Sequence, residues 1–274
     1  MSYRDVLAFV TFGHDGAVLA FTEQLVSQFG LKTTFAAVGW KSEAHAFTEA
    51  GAGEAADIDL KAEAAQLEVV RSQIAPILAR MGRDGSLETS ILDLREVRQV
   101  VGRRARFADV AVVGRPVEKV LGDVHTPLIE GVLFNSDRPV VIVPPYWRRS
   151  PIGRRIAVFW NGSREVAKAL AAAAPFLDAA QSVRILAATP AESPDAAMNL
   201  LCDNVRRHCA DTSLHLIDPG TSTDGMALLE AAAHHNADFI VMGGYGRTRL
   251  SEIVFGGVTR ETLAGAQLPV LMAH

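Results

Sequence analysis

The chain alternates short strand-like runs with longer stretches in which apolar residues recur every three or four positions. Asp5 to Val10, Thr33 to Val38, Asp109 to Gly114 and Pro139 to Val143 are runs of the first kind, and Leu87 to Leu92 is read with them as a strand. Continuous apolar runs of this length are expected where a strand is buried on both faces of a parallel sheet. Between the first two, Val18, Thr22, Leu25 and Phe29 recur at helical spacing and Gly30 ends the helix. The same spacing predicts a helix from Lys61, with Val70, Ile74, Ile77 and Met81 on one face and a kink at Pro76, and another over Glu96 to Ala105. Residues 41–60, rich in Ala, Gly and Glu, read only as helix or loop. Strand, helix, strand in succession is the order of a parallel α/β sheet.

Pro144 to Arg155 carries three prolines and four arginines and reads as a linker, after which the pattern begins again. Ile156 to Phe159, Val183 to Ala187, Leu214 to Ile217, Asp238 to Met242 and Leu268 to Met272 repeat the five strands. Ser163 suits the cap of a helix whose apolar face is Val166, Leu170, Ala174 and Leu177, with Glu165 in the first turn. Offsets support the repeat: Val6 to Ile156 is 150 positions, Ser86 to Ser213 is 127, Asp109 to Asp238 is 129 and Pro139 to Pro269 is 130. The fall from 150 to 127 places about 23 extra residues in the first copy, between its second and third strands. Two tandem domains, 1–145 and 146–274, are expected, each a doubly wound open parallel sheet.

The most specific stretch is Val241-Met242-Gly243-Gly244-Tyr245-Gly246-Arg247-Thr248-Arg249-Leu250, continuing to Gly256-Gly257-Val258-Thr259. An apolar strand enters a glycine-rich loop that leads into a helix, so backbone amides rather than side chains face what lies above. Glycine permits positive φ and lets an anion approach the N–H groups of a turn or a helix N-terminus, which is the need of a phosphate site. The alternative is that glycines after a parallel strand only allow close strand-to-helix packing.

Gly243-x2-Gly246-x9-Gly256 after a buried strand, with Val258-Thr259 opening a helix and Leu268 to Met272 a final strand, resembles the universal stress protein family. The resemblance covers nearly the whole chain, strong in the second half and eroded in the first. It implies an adenine-nucleotide alpha-hydrolase-like fold with strand order 3-2-1-4-5 in each domain, which right-handed crossovers also favour. In that order a crevice opens between the carboxyl ends of strands one and four, where ligands of such sheets bind. The resemblance implies an adenine nucleotide there, ATP with magnesium, in the second domain. Its site would comprise Asn161, Ala188, Gly243, Gly246, Arg247, Arg249, Gly256, Gly257, Val258 and Thr259. Asn161 stands where relatives usually carry Asp, and Gly257 where they usually carry Ser or Thr, so both changes weaken the site. By the 129 offset the first copy keeps Gly114 but has Val117, Pro127 and Leu128 at the other glycines, and is expected not to cradle phosphate. The resemblance further implies that the two fifth strands cover each other as an intramolecular pseudo-dimer, with homodimerisation as the alternative.

A net charge of -4 disfavours nucleic acid as a partner. No apolar run reaches the length of about 18 residues that a membrane span needs, and the amino-terminal residues run directly into a strand, so a cytoplasmic protein is expected. Arg95, Arg98, Arg103, Arg104 and Arg106 read as a solvated helix face. Cys202 and Cys209, two turns apart on one helical segment, are expected to be reduced, since about 10 Å is too far for a disulfide. His234 and His235 are adjacent and make a poor metal pair; His14, Asp15 and His125 have no nucleophile partner in the sequence. No Walker loop, nucleophile elbow or Cys-x2-Cys is present. The expected role is a non-enzymatic stress-response module that binds nucleotide or protein partners. A slow ATP hydrolase or phosphotransferase and a ligand-free structural module are the alternatives.

Overall fold

A computed structural model of the chain describes residues 3–11, 15–40, 53–116, 125–189, 193–244 and 257–274, with the backbone alone over 53–64. Its first half runs β1 (Asp5–Thr11), α1 (Gly16–Phe29), β2 (Lys32–Trp40), α2 (Gly53–Met81), β3 (Gly85–Leu92), α3 (Val97–Ala105), β4 (Val110–Gly114), α4 (His125–Asn135) and β5 (Val140–Val143). The second runs β6 (Arg155–Phe159), α5 (Arg164–Ala172), α6 (Ala174–Ala179), β7 (Ser182–Ala188), α7 (Ala196–Arg206) and β8 (Thr212–Ile217). It ends with α8 (Asp224–His234), β9 (Phe239–Gly243), α9 (Gly257–Gly265) and β10 (Val270–Ala273).

The strands lie in the order β3-β2-β1-β4-β5-β10-β9-β6-β7-β8, so each half has the expected 3-2-1-4-5 order. The two sheets expected from the sequence are one. β5 and β10 pair antiparallel, with Ile142 opposite Val270 and Val140 opposite Met272, while every other pairing is parallel. Both fifth strands are wholly buried, which removes two apolar edges by joining them.

Apolar side chains from both halves form a shared layer on each face of this sheet. On one face Phe176 stacks on Phe239 at 4.6 Å and meets Phe29 and Tyr3 edge-on at 5.1 and 6.0 Å. Tyr3 also donates its hydroxyl to the Ala172 carbonyl at 2.5 Å, tying the first strand's entrance to the second half. The linker belongs to this seam. Trp147 and Ile152 are buried, Trp147 packs edge-on against Phe21 at 5.2 Å, and Gln24 and Gln28 of α1 donate to the carbonyls of Ser150 and Ile152.

Several elements differ from the sequence reading. The helix expected through Leu177 breaks at Ala173 into α5 and α6, because Pro175 lacks the N–H that would continue the helical ladder to Ala171. Pro76, by contrast, lies inside one continuous α2, which starts at Gly53, eight residues before the expected Lys61. Cys202 is on α7 but Cys209 lies beyond its end; both are buried free thiols. The arginines on and just before α3 are solvated and also paired: Arg95, before the helix, with Asp93, and on it Arg98 with the buried Glu130 and Arg104 with Glu88. Gly102 and Gly131 bring α3 and α4 so close that a Cβ at Gly102 would lie 2.7 Å from the Gly131 carbonyl oxygen.

Candidate functional site

In the second half, β6 and β9 are neighbours, and the chain leaves them toward opposite sides of the sheet. Asn161 follows β6 and is exposed; its Oδ1 accepts the Ser163 N–H at 3.1 Å, closing a local turn in which Gly162 has φ +71°. Ser163 then caps α5, its hydroxyl accepting the Val166 N–H at 3.3 Å. Ala188 is the last, half-buried residue of β7, two strands from β9.

Gly243 ends β9 directly against this cap. A Cβ there would lie 2.6 Å from the Val166 nitrogen, so a side chain would collide with backbone. Close strand-to-helix packing therefore gives Gly243 a reason of its own, independent of any phosphate. Glu165, which the sequence reading noted only as a first-turn acid, packs its Cβ and backbone on the same spot and is buried. Burial raises its carboxyl pKa, but hydrogen bonds from its own N–H, from Ser163 and from the Arg164 guanidinium outweigh that and hold it below the usual range. The N-terminus of α5 is thus already served by Ser163 and Glu165, and it offers an anion little.

The remaining donors belong to α9. It starts at Gly257, one residue before the expected Val258. Gly257 is exposed, with nothing within 4 Å of where its Cβ would be, whereas Val258 is half-buried and the Thr259 side chain is buried. Thr259 can therefore contribute there through its backbone N–H rather than its hydroxyl. Gly246, Arg247, Arg249 and Gly256 lie outside the described residues.

The first half fills the equivalent place. Asp15, which matches Glu165 by the offset of 150, accepts the Thr11 N–H and hydroxyl at 2.5 and 2.7 Å. Its other oxygen is 3.2 Å from Nε2 of His125, the first residue of α4. Gly114 abuts both, since its Cβ would be 2.9 Å from Asp15 Oδ1 and from His125 Nε2. A buried carboxylate and an imidazole thus occupy this switch point. The repeat offset places Asp15 against Glu165, but no sequence signal links it to His125, which is 110 residues away.

The fold is that of a doubly wound α/β protein with two switch points, and among the described residues the first is occupied by Asp15 and His125. Residues 220–274 match the sequence model of the universal stress protein family. No curated protein sequence matches the chain. Among solved structures, a universal stress protein from Archaeoglobus fulgidus superposes with a TM-score of 0.72 at 17% identity, over 97% of this chain and 95% of that one. A functionally unknown protein from Pseudomonas aeruginosa gives 0.57 at 14% identity, over 98% and 92%. A putative universal stress protein from the same species gives 0.55 at 14%, with the same coverage. The carboxyl-terminal segment is similar to that family in sequence, and the whole chain shares the fold of the solved universal stress protein from Archaeoglobus fulgidus.

Proposed function

We propose that the chain is a non-enzymatic universal-stress-type module that responds to an adenine nucleotide, bound weakly and at the second switch point alone. The observation that carries this reading is the contrast between the two crevices. In the first, Asp15 and His125 close on Gly114, and Pro127 in the first turn of α4 removes a backbone donor. In the second, the counterpart of Pro127 by the 129 offset is Gly256, which keeps its N–H, and Gly257 at the start of α9 is exposed.

The same geometry explains why binding should be weak. Asn161 is neutral and uses its side-chain oxygen within its own turn, and Gly257 brings no hydroxyl. ATP is the expected nucleotide. The described residues do not fit a magnesium site of the protein's own: none of their His, Cys, Asp and Glu side chains form a group of three that could hold a metal. The carboxylate packed on Gly243, Glu165, is held charged by its cap and ion pair and has no free role as a base. This reading places domains 1–145 and 146–274 as an intramolecular pseudo-dimer in the cytoplasm, acting on protein partners.

Equilibrium dialysis of the purified protein against ATP should show bound nucleotide, and Gly246→Val should abolish that binding. Equal binding by the variant would place the site elsewhere.

A further inference from the structure

His234 and His235 are neighbours on α8 and poorly placed to share an ion, but the fold gives His235 a different partner. His215 on β8 brings its ring to 4.4 Å from that of His235, centroid to centroid, with the planes tilted by 48°. The His234 ring lies 5.5 Å from that of His235. We propose that His215 and His235 form a two-imidazole site for a divalent transition ion of the zinc, nickel or copper class, which clips the edge strand β8 to the end of α8.

Imidazole nitrogens bind such ions at about 2.0–2.1 Å, so two rings in van der Waals contact can converge on one ion by side-chain rotation alone. The ligands come from different elements, so tertiary packing sets their approach. Ser213 Oγ is 2.8 Å from Nε2 of His215. With the hydroxyl accepting the Nε2 proton, the lone pair sits on Nδ1 and the ring is oriented, as the partners of metal-bound histidines usually do.

One positive charge near the pair, Arg184, disfavours a cation, but it is itself paired. Arg184, on β7 beside β8, is held by Asp211 through two bonds of 2.9 and 3.1 Å, which offsets its charge. Among the described residues no third His, Cys, Asp or Glu completes a group around them, so solvent would have to complete the coordination shell.

Calorimetric titration of the full chain with Zn2+ near neutral pH tests the site, with thermal unfolding as a second readout. One ion per chain and a rise in Tm are expected. His215→Ala and His235→Ala should each weaken binding by about tenfold or more and remove the rise, while His234→Ala should change affinity by less than about threefold. Both ring positions are partly exposed, so the variants should fold. Absence of binding at millimolar Zn2+, binding that survives either alanine variant, or equal loss in His234→Ala would overturn the proposal.

Discussion

Individual side chains here carry information that composition and spacing conceal. His215 and His235 have pKa values below the ordinary 6.5 in the folded chain, chiefly through burial. The unfolded chain therefore binds more protons than the folded one just below that value. Their contribution to stability is complete above about pH 6.5 and is lost as the pH falls toward their folded pKa values. In metal-free buffer, Tm measured from pH 7.5 down to 5 should fall, and the fall should be smaller in His215→Gln. A slope unchanged in that variant would remove His215 from the account. These rings, like Asp15 and His125, were invisible as a pair in the sequence, because each partner sits on a different element and nothing local requires the other.

At the scale of elements, the strands were largely legible and their edges were not. Val110 to Gly114 and Val140 to Val143 were read to within a residue because burial on both faces demands unbroken apolar runs. β3 and β8, at the two edges of the sheet, start two residues earlier than the apolar signal, since half-buried edge strands tolerate Ser, Thr and Gly. The site was legible only in part. Asn161 and Gly257 were proposed from the family resemblance and Gly243 from the glycine spacing, yet two features escaped: the packing role of Gly243 and the carboxylate beneath it. Gly243→Ala tests that role. Its Cβ would meet the Val166 nitrogen at 2.6 Å, and backbone there cannot move without shifting α5. A loss of about 1–3 kcal/mol in denaturant unfolding is expected, as for overpacking elsewhere. Gly114→Ala, whose Cβ meets the tips of Asp15 and His125 at 2.9 Å, should cost less because side chains can give way. Equal costs would contradict the packing argument.

For the whole molecule, the β5–β10 pairing makes two repeats into one body. Phe176 and Phe239 of the second half, Phe29 and Tyr3 of the first and the buried linker residues Trp147 and Ile152 lie in one apolar layer. The loops at the switch points are also tied across the seam. Arg115, just after β4, donates to the carbonyls of Leu263 and Ala264 at the end of α9, the usual place for a cation on a helix. Gly244, its counterpart after β9, lies beside Leu133 of α4, and His274 joins the Gly244 carbonyl to Phe134. The chain should therefore unfold in a single transition, with intrinsic fluorescence and circular dichroism coincident; two separated transitions would show that the halves are independent.

That coupling also sharpens the question of where a ligand acts, since Asp15 and His125 meet at the first switch point and the proposed site lies at the second. Calorimetric titration of the full chain with ATP is the direct measurement. One site per chain is predicted, lost in Gly246→Val and tightened about three- to tenfold in Gly257→Ser, the gain of one hydroxyl hydrogen bond worth about 0.5–1.5 kcal/mol. No binding at millimolar ATP in either the natural chain or Gly257→Ser, or binding that persists in Gly246→Val, would contradict the account.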